Sequence, residues 1–151
     1  MRLSKKGDYA LRAVIQLALS TDSPKPISYI SDVSSIPKNF AGKILKELTN
    51  HGILQSFAGK HGGFKLARSA ESISFREVIE AVEGPIILNH CLDESSECDR
   101  VAICNMYDTW VNAQMKIIQV LESVKISDII DSNAADWDRG NIITVENEQL
   151  K

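Results

Sequence analysis

Cys91, Cys98 and Cys104 are the only cysteines of the 151-residue sequence, with six residues between the first pair and five between the second. An odd number of thiols is a poor basis for a disulfide framework. Thiolates this closely spaced suit a soft metal or an iron-sulfur cluster. The stretch has no CxxC pair of the kind that builds a zinc ribbon, although three cysteines with the adjacent His90 would also satisfy zinc. Three free thiols with a redox role are the remaining reading. A cluster held by three cysteines is one ligand short. His90, Asp93, Glu94 and Glu97 are near in sequence, though acidic loop residues ordinarily just meet water. Asp8 is a carboxylate that a second subunit would have to supply.

The second set of residues is cationic. Residues 1–68 hold eleven lysines and arginines against four acids, and residues 69–151 hold six against sixteen, so the net charge of −3 conceals a basic half joined to an acidic one. Such a half suits a polyanion. Lys38, Asn39, Phe40, Lys43 and Lys46 lie on one predicted helix. Lys60 and His61 sit in a glycine-rich tip, and Arg2, Lys5 and Lys6 open the chain. Lysine suits phosphates, whereas asparagine can pair with a base edge. Each lysine alone reads as ordinary solvated surface; helix order, glycine tip and charge together point to double-stranded DNA. No nucleophile–base pair or phosphate-binding loop appears, because the Gly59 to Gly63 run separates two strand candidates instead of preceding a helix. An enzyme is not expected.

These residues need elements to position them. Ala10, Leu11, Val14, Ile15, Leu17 and Ala18 form one apolar stripe and predict a helix over 6–20. The prolines of 21–26 mark a turn. Ser28 is the expected cap of a short helix over 29–34. Pro37 opens a third helix running to about Asn50, near the first helical position where its missing N–H costs nothing. Phe40, Ile44, Leu45 and Leu48 are its expected buried face; Phe40, in the first turn, also counts among the DNA contacts. Residues 53–57 and 64–67 are short strands of a hairpin. Ser74 and Glu77 have the capping-box spacing, and the helix they open buries Phe75, Val78, Ile79 and Val82. A polar loop follows, and then a long helix from about Ala102 to Val124. Its seam of Tyr107, Trp110, Gln114, Ile117, Leu121 and Val124 alternates by three and four, which predicts a homodimer. Ser127 to Ile130 suggests one more turn, and 133–151 reads as a loose tail.

The order helix, short helix, helix, hairpin is that of a winged helix-turn-helix. The fold class is therefore mainly α with a small β element. Its parts are a DNA-binding domain over 1–84, a cysteine loop over 85–105, a dimerisation region over 106–131 and a tail over 132–151. No apolar run approaches the roughly 18 residues of a bilayer span. Asp8 and Arg12 interrupt the N-terminal apolar stretch, so it is not read as a signal peptide and the chain is read as cytoplasmic.

Four motifs, MRLSKKGDYALRA, IPKNFAGKILKEL, GKHGGFKLAR and SFREVIEAVEGP, carry a resemblance to the Rrf family of bacterial transcription regulators, which has IscR-like and NsrR-like branches. The resemblance covers roughly residues 1–131. It implies a dimeric regulator on palindromic DNA, with a cluster on Cys91, Cys98 and Cys104 whose state changes DNA affinity. IscR-like members carry a histidine three residues after the last cysteine, where this sequence has Tyr107. NsrR-like members have an acidic residue at the position of Asp8, which serves as ligand across the dimer. That favours a 4Fe-4S cluster with Asp8 of the other subunit as fourth ligand; 2Fe-2S is the alternative, and the structural reading of Asp8 is a pair with Arg12 one helical turn along. Two other functions stay open: a cluster-free regulator answering to a metabolite, thiol oxidation or a partner protein, and a small electron-transfer or cluster-carrier protein.

Overall fold

The computed structural model describes residues 4–20, 23–93 and 98–131. Arg2, Glu94, Glu97 and the expected tail lie outside them. The first helix, α1 (Lys5–Leu19), starts at Ser4, whose hydroxyl accepts from the Lys6 and Gly7 N–H groups. Of the expected stripe Ala10, Leu11, Val14 and Leu17 are buried, Ile15 and Ala18 are only partly so, and the unpredicted Ala13 is buried with them. Helix α1 is the centre of the molecule and packs against α3 (Lys38–Asn50), α4 (Phe75–Glu83) and α6 (Ile126–Asp131).

The short helix α2 (Ile27–Val33) is capped by Pro26, and no side chain caps it. Ser28 is thus already inside the helix and exposed. The preceding proline, held near φ −67°, already directs the chain into the turn. Pro37 likewise precedes α3 and does not enter it. The turn from α2 to α3 is tight. Ser35 adopts φ 53°, and the buried Ser31 hydroxyl donates to the Ile36 carbonyl while Ile36 N–H returns a bond to Ser31.

Strands β1 (Leu54–Phe57) and β2 (Gly63–Leu66) pair antiparallel with Leu54 opposite Leu66 and Phe57 opposite Gly63. Lys25 bridges to Phe64 through two 2.9 Å backbone bonds, so the segment before α2 extends the wing as a third strand-like edge. Helix α4 has the expected capping box, with Ser74 and Glu77 bonding reciprocally. Its buried residues are Val78, Ile79, Ala81 and Val82, while Phe75 is only partly covered.

Helix α5 (Tyr107–Ser123) begins five residues later than the expected start, because Val101–Ile103 forms a separate 3-10 turn. It has no fully buried residue; Ile117, Ile118 and Leu121 lean on the core from one side. The expected last turn is α6, and its Ile126 is fully buried. Among the described residues no helix is long and apolar enough to cross a membrane.

Candidate DNA interface and cysteine loop

Helix α3 divides its residues cleanly. Ala41, Ile44, Leu45 and Leu48 are buried, and Lys38, Asn39, Lys43, Lys46 and Asn50 are exposed. A period of 3.6 places 39, 43, 46 and 50 on one side. Phe40 was expected in the buried face, but it is 47% exposed and meets Tyr9 edge to face, at 6.1 Å between ring centroids. The buried stripe centres on Ala41, Ile44 and Leu48, and Phe40 falls a full residue to its side. It therefore stands on the outer surface beside the exposed face of α3.

Lys60 and His61 project from the wing tip, both exposed. The glycines behind them are required by space. A Cβ on Gly62 would lie 2.2 Å from the Phe57 carbonyl oxygen, and one on Gly63 would lie 2.2 Å from that of Lys25. Gly63 also has φ +150°. The tip folds so closely on itself that only glycine fits.

Of the cations at the start of α1, Lys5 is exposed and Lys6 is not free. Lys6 Nζ forms a 2.7 Å ion pair with Glu47 of α3 and donates to the Val82 carbonyl of α4, so it ties three helices together. Glu83, at the end of α4, accepts from Ser4 N–H, Ser4 Oγ and Gly7 N–H at 2.7–3.1 Å. Neither anchor has a local sequence signature, because the partners are 41 and 79 positions apart.

The cysteine loop leaves α4 at Gly84. Cys91 lies in a 3-10 turn, His90–Leu92, and Cys104 caps the turn Val101–Ile103. All three thiols are half-buried and free of disulfides. The loop is fastened to α5 at both ends. Leu88 N–H donates to Gln114 Oε1 at 2.9 Å, and Tyr107 N–H donates to the Cys104 carbonyl at 3.2 Å. Three thiol donors are the right chemistry for a cluster. They are not drawn to one centre: among the described residues no three His, Cys, Asp or Glu side chains stand close enough to hold a metal ion. Asp8 pairs with Arg12 one helical turn along, at 2.9 Å, and both remain substantially exposed.

The profile of the Rrf2 family, described as iron-dependent transcriptional regulators, matches residues 3–132. The HTH-type transcriptional regulator IscR of Klebsiella pneumoniae strain 342 is 26% identical over 133 residues, covering 87% of this chain and 81% of the relative. Among solved structures, the global cysteine regulator CymR of B. subtilis superposes with a TM-score of 0.71 at 23% identity, over 88% of this chain and 98% of the other. IscR of T. potens gives the same TM-score at 22% identity, over 93% and 94%. These likenesses agree with the mainly helical winged fold.

Proposed function

The chain belongs to the Rrf2 family of DNA-binding transcriptional regulators, and from that premise we propose that it is a cytoplasmic, homodimeric repressor of palindromic sites whose α3 and wing contact the duplex. The observation that carries this reading is the outer face of α3, where Asn39, Lys43 and Lys46 are exposed opposite a buried face, with Lys38 and Phe40 exposed on its flanks in the first turn. Asn39, near the helix start, reads a base edge, and the lysines meet phosphates. Lys5, Lys60 and His61 add contacts on either side, and Arg2, outside the described residues, is a further DNA contact in this reading. Titration of a duplex at rising salt tests it. Log affinity should fall linearly with log salt, with a slope set by the phosphates neutralised; a flat dependence would remove the DNA reading.

The regulatory part concerns the loop. Cys91, Cys98 and Cys104 are the protein ligands of an iron-sulfur cluster, preferably 4Fe-4S, with Asp8 of the second subunit in the fourth position; 2Fe-2S is the alternative. When bound, the cluster supplies a centre sensitive to redox state, nitric oxide and iron supply. The chain's own part is mechanical. Binding requires the three thiolates to gather, and releasing them relaxes the 91–104 loop. Both ends of that loop are tied to α5, so α5 experiences the difference and shifts the spacing of the two recognition helices. Asp8 must leave Arg12 to take part, which costs little for an exposed pair. Anaerobic reconstitution with iron and sulfide should give a brown protein whose colour is lost in the triple Cys→Ser variant.

A second reading is favoured by the separation of the thiols: a regulator without a cluster, answering to a metabolite, thiol oxidation or a partner protein. Unchanged regulation in the triple Cys→Ser variant would select it, and regulation lost together with the colour would exclude it.

A further inference from the structure

The wing and α5 are joined by a polar hinge of which the sequence announced only the Ser74–Glu77 capping box. The chain leaves β2 at Leu66, and two residues later Arg68 turns back. Its guanidinium donates to the Ser72 carbonyl and forms a 2.6 Å ion pair with Glu77 of α4. Residues 73–75 then run antiparallel to 124–126. Phe75 N–H donates to the Val124 carbonyl and Ile126 N–H to that of Ile73, both at 2.9 Å. Ile73, Ser74 and Ile126 are all fully buried. The Ser74 hydroxyl donates to Glu122 Oε2 of α5 at 3.2 Å, and the same carboxylate faces Arg76 at 4.0 Å and Lys125 at 3.5 Å.

The link from wing to α5 is thus short and continuous: Arg68, Glu77, Ser74, Glu122. The same helix holds the cysteine loop at Gln114, about 12 Å from Glu122, and at its first residue Tyr107, about 22 Å from Glu122 at about 1.5 Å per residue. A helix held at the loop and at the hinge is a continuous element through which displacement at one can reach the other. We propose that Arg68, Ser74, Glu77 and Glu122 form the joint by which α5 sets the order and angle of the wing. They are positioning residues for Lys60 and His61, which they do not touch. The proposal rests on the reading that the wing meets DNA.

Glu122 is the useful probe, because it is 46% exposed and its loss leaves the buried core intact. Glu122→Ala should speed amide hydrogen exchange in 54–57 and 63–66 by about three- to tenfold, with α1 and α3 unchanged. Binding to a mixed-sequence duplex of about 30 base pairs at low salt should weaken by a comparable factor. Glu122→Gln keeps an acceptor for Ser74 and should recover most of both losses. Unchanged wing exchange in Glu122→Ala overturns the joint. Faster wing exchange without weaker binding, together with an unaffected Lys60→Ala variant, overturns the premise that the wing meets DNA and the proposal with it.

Discussion

Lys43 and Asn39 share a face of α3 but offer different chemistry, and substitution should separate them. Lys43→Ala should weaken binding by a similar factor on every sequence and lower the salt slope by about 0.9 if the ammonium meets one phosphate. Asn39→Ala should cost about 1–3 kcal/mol at the preferred site alone, relaxing selectivity at one base pair with little change in slope. Anisotropy titrations on matched and mismatched duplexes at several salt concentrations distinguish the two. Identical behaviour of both variants would mean that α3 does not lie in the groove as assigned. The exposed lysines were legible because helical period alone decides which side of α3 faces out. Phe40 misled because hydrophobicity places it in a core that its angle does not reach. Lys6 misled for the opposite reason, since its partner Glu47 is brought near only by the packing of α1 on α3.

Among the elements, the wing depends on Gly63 most directly. Gly63→Ala would force a methyl group into the Lys25 carbonyl. The Lys25–Phe64 bridge would open, destabilising the protein by about 2 kcal/mol or more and loosening the wing. Urea unfolding measures the first effect, and duplex binding the second. Wild-type stability in that variant would show that the tip has room the structure does not give it. Glu77 makes a pH prediction. Burial pushes its carboxyl up, but hydrogen bonds from Ser74 and Arg68, with the Arg68 charge, outweigh burial and hold it below its ordinary 4.5. The cleft beside it also presents His51 and Glu80. A depressed carboxylate stabilises above its unfolded pKa, and that contribution disappears as pH falls through the folded value. The stability gap between wild type and Glu77→Gln should therefore be full near neutrality and shrink once pH falls below the ordinary 4.5 and through the lowered folded value. A gap unchanged down to about pH 3 would contradict the ion pair with Arg68. The capping box itself was readable from Ser74 and Glu77, three residues apart. The connection onward to Glu122 was not, because 48 residues separate the partners and only the fold brings them together.

At the scale of the molecule, α5 decides whether one chain is enough. The seam read from the sequence is divided in the structure. Ile117 and Leu121 pack against their own core, which is why periodicity alone overstated how much of the helix was left for a partner. What remains uncovered is a narrower line. Met106, which caps α5, and Trp110 and Val120 within it are 65%, 38% and 61% exposed, and their spacing keeps them on one side of the helix, with the exposed Met115 on the other. Water contact along such a line is unfavourable at about 25 cal/mol for each Å² of apolar surface, and a second copy of the same helix would cover it symmetrically. Val120→Asp should then convert a dimer to a monomer in sedimentation velocity while leaving the monomer folded, because the side chain contributes nothing to its own core. The same variant should bind an isolated half-site as wild type does and lose most of its affinity for a two-half-site duplex, since the avidity of paired recognition helices disappears with the dimer. If Val120→Asp remains dimeric, the line along α5 is not the interface. Asp8 of one subunit would then need another route to the cysteines of its partner.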